Sequence, residues 1–272
     1  MSNNNFNEIF GNYKKFMNNR EKMKTKHFSK KQIMNEKKIY SKNNNLSFAI
    51  IVPYRDNLDG SKVRYNQMMK FIKYMPKYLN KLGKKFEYKI IIIEQSNEKK
   101  FNRGRLLNIG FLLCKHKFNY FIFHDIDLIP NLDLLHFYGC YPSKPIHLAS
   151  IWDKYTKGSF SFYFGGVNSF NKQDFETING YPNNYWGWGG EDDELYDRVS
   201  NSNLKVFIPN KGKYSEMKHN KPTNQQKLPF NQKMRLRLKH KDWKKNGLNN
   251  LKYEVSHTKK LNKDASLVSV KF

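Results

Sequence analysis

Two short stretches hold residues whose types and spacing suit chemistry. The first is "HDID", where Asp125 and Asp127 stand two apart at the end of an apolar run. In an extended chain such residues face the same side, and two carboxylates aimed together repel unless a cation joins them. Oxygen ligands of this kind suit Mg2+ or Mn2+, ions that in turn bind a diphosphate. A turn with solvated acids is the plainer reading, but the apolar flanks "YFIF" and "LIP" favour the metal. The second stretch is "NNYWGWGGEDDELYDR", in which Trp186 and Trp188 alternate with glycines before four acids, Glu191 to Glu194. Glycine costs backbone entropy and fills no space, so the segment makes a poor core and a good ligand platform. The apolar face of a sugar packs on an aromatic ring, and a carboxylate takes the proton from its hydroxyl. Acids in a first helical turn also complement the helix dipole, which leaves the tryptophans and glycines unexplained. Arg55 in "YRDN" and Arg103 in "FNRGR" suit a phosphate or a ribose. His219, in a polar loop, is either solvated or completes a metal site opened by Asp127, with Glu216 or Met217 nearby.

Positioning these groups requires a scaffold, and the apolar pattern supplies one. "FAIIVPY", "YKIIIIEQ" and "YFIFHDIDLIP" read as buried strands. Between them, residues 62–82 place Tyr65, Met68, Ile72, Met75, Leu79 and Leu82 on one helical face that Pro76 can bend. A second helix runs from Arg105 to Lys115. Strand–helix–strand–helix–strand predicts an α/β fold with a Rossmann-like, mostly parallel sheet and right-handed crossovers. Ligands of such sheets sit at the carboxyl ends of the strands, where Arg55, Gln95, Asp125 and Asp127 fall. Downstream, a strand in "FYFGGVNSF", a helix from an Asn171 cap, a helix over Glu191 to Ser200, and strands in "LKVFIP" and "LKYEVSHT" are expected. Residues 1–45 read as a basic flexible tail or loose helical arm, 46–260 as the folded domain and 261–272 as a C-terminal tail.

Composition narrows the function. The chain has 272 residues, 38% of them hydrophobic, and a formal charge of +27. The excess lies mainly in lysines of the first 45 residues and after Lys205, mixed with asparagine. That pairing favours a biased, solvated surface over a nucleic-acid groove. Cys114 and Cys140 are the only cysteines, so no disulfide framework is available. No apolar run approaches the ~20 residues of a membrane span, and the N-terminus carries no signal-peptide pattern. A soluble, cytoplasmic chain without a membrane anchor is expected.

In order along the chain, "IIVPYRDN", "FNRGRLLNIGF", "HDIDLIP", "FGGVNSFNKQDFETINGYPNNYWGWGGEDDELYDR", "MKH" and "GLNNLKYEV" resemble the β-1,4-galactosyltransferases, glycosyltransferase family 7. The resemblance covers roughly Ala49 to Val255, and "WGWGGEDD" is its most specific element. It implies a GT-A nucleotide-sugar fold and inverting transfer of galactose from UDP-galactose to the 4-hydroxyl of a terminal N-acetylglucosamine-type glycan. Mn2+, or Mg2+, would hold the donor diphosphate through Asp127, His219 and Glu216. Arg55, Phe101, Arg103, Asp125, Tyr163 and Trp188 would bind the donor. Tyr163, Trp188, Gly190, Glu191, Asp192 and Asp193 would hold the acceptor, with Asp192 as catalytic base. Glu216 stands where family members often have a methionine, and Asn57 where many have a second arginine. Phe121 replaces the usual partner of Cys140, so the family disulfide is not expected. A sister enzyme using xylose or another acceptor, or another UDP-sugar as donor, is the alternative. A basic nucleic-acid-binding or metal-dependent phosphodiester-cleaving protein, or a silent carbohydrate-binding module, would come from other classes.

Overall fold

The computed structural model describes residues 3–18, 25–27, 46–56, 60–83, 86–150, 164–218 and 223–272. Helix α1 (Asn3–Asn18) and strand β1 (Thr25–His27) precede β2 (Leu46–Tyr54). Then come α2 (Val63–Leu79), β3 (Phe86–Gln95), α3 (Arg103–Cys114), β4 (Tyr120–His124), β5 (Leu128–Pro130), α4 (Leu135–Tyr138) and β6 (Ile146–His147). The chain continues with β7 (Val167–Asn171), α5 (Lys172–Thr177), α6 (Glu191–Asn201), β8 (Val206–Ile208), β9 (Tyr214–Glu216), α7 (Phe230–Leu238), β10 (Glu254–Lys260) and β11 (Ala265–Lys271).

The three apolar runs form the centre of a nine-stranded sheet in the order β1-β8-β6-β7-β4-β2-β3-β11-β10. Strand β2 pairs in parallel with β3, from Leu46↔Phe86 to Tyr54↔Glu94, and with β4 from Phe48↔Tyr120 to Ile51↔Phe123. Because successive strand residues face opposite sides, Phe48, Ile50 and Val52 enter one core with Met68, Phe71, Ile72 and Met75 of α2. Ala49 and Ile51 enter the other with Leu106, Leu107, Ile109 and Phe111 of α3. A strand covered on both faces must be apolar throughout, which is why these runs lack alternation. The sheet is mostly parallel, but β7 runs antiparallel to β4 and β6, and β10 to β11.

Two expectations about the ends change. Residues 261–272 are not a tail: β11 lies parallel to β3 from Ala265↔Ile90 to Val270↔Gln95. Ala265, Leu267, Val268 and Val270 are buried there, covering an edge that β3 would otherwise present as unpaired backbone. The first 45 residues hold the helical arm expected as the alternative to a tail, though it is packed rather than loose. Helix α1 packs on α7, where Tyr13 meets Phe230 edge-on with 6.0 Å between ring centroids. Strand β1 pairs with β8. The rest of that segment lies outside the described residues.

Candidate active site

The site forms where the parallel strands end. Gln95, the last residue of β3, accepts from the Asn102 N–H at 2.8 Å and donates to the carbonyls of Lys99 and Lys100. It thereby folds the loop that leads into α3. Asn102 caps that helix, accepting from the Arg105 N–H, and its amide donates to the Asn183 carbonyl. A buried pair of amides continues the join. Asn108 accepts from the Tyr181 N–H and donates to its carbonyl, while Asn183 donates to the carbonyl of Gly247 and the side chain of Asn250. Buried amides tolerate burial only when satisfied in this way, so "INGYPNNY" is fixed against α3 and "GLNN".

Arg103, at the start of α3, is therefore held in place. Its Nε donates to Asp125 Oδ1 at 2.7 Å and its Nη1 to Asp192 Oδ1 at 2.8 Å, with Glu191 Oε1 at 3.8 Å from the same nitrogen. One guanidinium thus joins the "HDID" turn to the "GGEDD" turn. Its Nη2 is buried with no hydrogen-bond partner among the described residues. A buried donor left unmade is costly, which suits an oxygen arriving with a ligand. Burial pushes the Asp192 carboxyl well above the ordinary aspartate range, against the pull of Arg103, and the neighbouring Glu191 and Asp125 add to the rise. Glu191 and Asp125 are raised by burial too. A carboxylate lifted in this way accepts a proton more readily at neutral pH.

The other two acids of the run are matched separately. Asp193 Oδ2 lies 2.8 Å from Lys233 and 3.2 Å from Arg237, whose other nitrogen pairs with Asp197 at 2.7 Å. Glu194 pairs with the buried Arg198 at 2.7 Å. The protein's own cations relieve the repulsion that the sequence raises. Ahead of the acids the backbone turns sharply. Gly187 and Gly190 have φ of 104° and 106°, a region that side chains rarely adopt. The Gly187 N–H donates to the Phe101 carbonyl, and Trp188 exchanges backbone hydrogen bonds with Gln226 and Leu228. The Trp188 backbone is pinned while its side chain stands 66% exposed. Trp186 instead lies beneath Arg105, at 5.1 Å.

The two acids of "HDID" take different arginine partners. Strand β4 ends at His124 and the chain turns through Ile126 and Asp127, so period-two geometry fails there. Asp125 goes to Arg103, and Asp127 Oδ2 accepts from Arg64 Nη1 at 2.8 Å. His124 supports the turn from within. Its Nδ1 meets the Asp125 carbonyl at 2.8 Å, and its Nε2 meets the Tyr138 hydroxyl at 2.7 Å. Burial lowers its pKa to about 4. Neutral at ordinary pH, it donates from Nδ1 and accepts at Nε2. Beyond the turn, the Met217 N–H donates to the Asp127 carbonyl at 2.7 Å, and Glu216 pairs with Leu128 in the β5–β9 ladder. The Met217 N–H thus lies across from the Asp127 carbonyl, with Glu216 opposite the neighbouring Leu128. Asp127 offers a hard oxygen that suits a divalent ion. Among the described residues, no three His, Cys, Asp or Glu side chains gather to hold a metal.

Family profiles match most of the chain: the N-terminal region of glycosyl transferase group 7 over residues 3–141, and the N-terminal domain of galactosyltransferase over residues 147–220. β-1,4-Galactosyltransferase 1 of Mus musculus is 36% identical over 219 residues, 76% of this chain and 50% of that protein. The chain belongs to the β-1,4-galactosyltransferase family. The Bos taurus β-1,4-galactosyltransferase 1 is 38% identical over 191 residues, 66% of this chain and 44% of that protein. The chain spans about half the length of these relatives. Among solved structures, the catalytic domain of Drosophila β-1,4-galactosyltransferase 7 with xylobiose is similar at a TM-score of 0.69 and 29% identity, covering 83% of this chain and 94% of that one. A mutant of the Drosophila protein with manganese, UDP-Gal and xylobiose gives 0.64 and 26%, with the same coverage. The mixed sheet is thus the GT-A fold.

In this β-1,4-galactosyltransferase relative, the structure brings Arg103, Asp125, Glu191 and Asp192 together. Arg55 stands apart from that cluster, donating to the Lys99 carbonyl with its guanidinium 5.7 Å from the Phe101 ring centroid. Tyr163, His219 and Asn57 lie outside the described residues. Sequence reasoning missed Arg64, Gln67, Lys233 and Arg237, and it missed the His124–Tyr138–Tyr214 chain below the turn. The spacing of "VRYNQMM" shows Arg64 and Gln67 on one side of α2, but nothing local shows what they meet.

Proposed function

We propose that this chain is an inverting, metal-dependent glycosyltransferase that moves galactose from UDP-galactose to the 4-hydroxyl of a terminal N-acetylglucosamine, making a β-1,4 linkage. The observation that carries the reading is Arg103, which ties the acid of the strand end, Asp125, to Asp192 beside the exposed Trp188. Donor and acceptor would meet between these two turns. Asp125, Arg103, Arg55 and Phe101 bind the nucleotide, and Tyr163 limits bulk at the sugar's 2-position. Trp188 covers the sugars, while Gly190, Glu191 and Asp193 shape the acceptor pocket. Asp192, its proton affinity raised by burial, takes the 4-hydroxyl proton as the oxygen attacks the anomeric carbon. Asp127 would hold the metal with His219, and Glu216 would be the third ligand. Bound there, Mn2+ or Mg2+ would stabilise the charge that builds on the leaving UDP. The glycine turns at 187 and 190 let the Trp188 segment close over the donor and exclude water.

A xylose acceptor is the second reading, favoured by the xylobiose in the Drosophila complexes. Against it stands Gly190, because the xylose branch resembles a pattern with arginine at that position. The deciding experiment measures UDP release from UDP-galactose with Mn2+ in the presence of N-acetylglucosamine, a xyloside or water alone. Release stimulated by N-acetylglucosamine, with a β-1,4 product by NMR, supports the first reading. Stimulation by the xyloside alone supports the second, and no stimulation by either overturns both.

A further inference from the structure

We propose that Phe272 is a positioning residue that holds the Trp188 turn and the loop before α3 against each other. The inference rests on the reading of Trp188 and Phe101 as sugar- and nucleotide-binding groups. Phe272 follows β11, whose parallel pairing with β3 brings it to the carboxyl end of the sheet. Its ring lies 5.8 Å from that of Trp186, at an interplanar angle of 41°. The Arg105 guanidinium stands 5.1 Å from the Trp186 ring centroid and 5.4 Å from that of Phe272, so it serves both rings at once. Arg105 Nε also donates to the Asn183 carbonyl at 2.9 Å, which fixes its direction. Lys99 Nζ approaches the Trp186 ring centroid to 5.4 Å. Cations over aromatic faces and tilted ring pairs are weak singly, but here Trp186, Phe272, Arg105 and Lys99 share them.

The main chain of Phe272 reaches the other side of the join. Its oxygen accepts from Asn97 Nδ2 at 3.0 Å and from Lys99 Nζ at 3.2 Å. Asn97 and Lys99 belong to the loop between β3 and α3, where the nucleotide-side groups are set. The Lys99 carbonyl accepts from Arg55 and Gln95, and the Phe101 carbonyl accepts from the Gly187 N–H at 2.8 Å. Phe272 thus touches this loop with its main chain and Trp186 with its ring. Trp186 is the last side chain before Gly187, whose φ is 104°, and the exposed Trp188 follows directly. Gly187 has no side chain to pin, so whatever fixes Trp186 sets where Trp188 starts. Without the Phe272 ring, Trp186 loses its aromatic neighbour and Arg105 loses one of its two faces. The Gly187–Phe101 hydrogen bond then opens more often, because local opening is easier where fewer contacts hold the chain.

The test uses the full chain with Phe272→Ala, Phe272→Tyr and, as a control for stability, Ile72→Val in the core on the other face of the sheet. Backbone hydrogen exchange, read by NMR, reports the Gly187 and Trp188 amides directly, and the β4 amides report general stability. KM and kcat for UDP-galactose and N-acetylglucosamine are read with Mn2+, and thermal melting confirms that each variant is folded. Phe272→Ala is expected to speed exchange at Gly187 and Trp188 about tenfold or more, while β4 stays within about twofold. KM for both substrates should rise about three- to tenfold with kcat within about twofold of the wild type. Phe272→Tyr, which keeps the ring, should restore both readouts. Ile72→Val should melt earlier and move neither, which separates positioning from a merely structural role. Exchange unchanged at Gly187 and Trp188, or raised equally in β4, overturns the inference, and so does an unchanged KM. If the wild type transfers galactose neither to N-acetylglucosamine nor to a xyloside, the galactosyl reading falls by itself. Exchange alone then decides whether Phe272 holds the turn.

Discussion

Replacing Arg103 with methionine keeps most of the side chain's bulk and removes the cation that three carboxylates share. The guanidinium lies 2.7 Å from Asp125, 2.8 Å from Asp192 and 3.8 Å from Glu191, and the thioether can replace none of these ion pairs. Breaking a buried ion pair by deleting one partner costs about 3–5 kcal/mol. The three acids retain exposures of 29%, 25% and 10%, so solvent screening brings the expected loss to about 2–3 kcal/mol. Their escape is protonation, because burial already raises all three pKa values and loss of Arg103 raises them further. A carboxyl whose folded pKa is raised costs stability while it is charged, and the cost disappears as pH falls through the folded pKa toward the unfolded value. The deficit should therefore be full at about pH 8 and shrink toward about pH 5. Urea unfolding of wild type and variant at both pH values measures it. A deficit equal at the two pH values would mean that packing, not charge, is what Arg103 supplies. A deficit below about 0.5 kcal/mol would show that the acids are never paired in solution.

Other consequences follow from single side chains. Trp188→Ala removes an exposed ring, so stability by thermal melting should stay within about 0.5 kcal/mol while the KM for the sugar substrates rises several-fold. In Gly190→Ala the new Cβ would sit 2.6 Å from Tyr185 Cε1 at a φ of 106°. The strain of about 1–3 kcal/mol should lower the melting temperature and raise the acceptor KM together, since the acids start at the next residue. His124, with a folded pKa of about 4, contributes stability that is full above its unfolded pKa near 6.5 and is lost as pH falls toward 4. That amounts to about 3 kcal/mol, and the part of the stability–pH curve it causes should flatten in His124→Asn, as followed by urea unfolding between these values.

What the sequence makes legible depends on the range of the cause. The three apolar runs and the period of α2 are local, and the structure follows them except that Tyr65 is exposed and the third run breaks after His124 into β4 and β5. The "WGWGGEDD" element and the Asn171 cap are likewise short enough to read directly, and Asn171 accepts from the Asp174 N–H as a cap should. Long-range pairing is not legible. Arg64 and Asp127 are 63 residues apart, and Arg103 and Asp192 are 89 apart. Only the folded chain shows that each acid of "HDID" has its own arginine. Strand β11 was hidden because "ASLVSV" alternates small, polar and apolar residues next to basic ones, and its partner β3 lies far upstream.

The central claim is that Asp192 is the base of a galactosyl transfer, and the most direct test is Asp192→Asn, which keeps the shape and removes the proton acceptor. Affinity for UDP-galactose with Mn2+, measured by calorimetry, should remain within about threefold of the wild type, because the donor is held by other residues. Transfer to N-acetylglucosamine at saturating substrates should fall by about 100- to 10,000-fold. Transfer retained within about tenfold would contradict the account, as would donor affinity that falls in step with the rate.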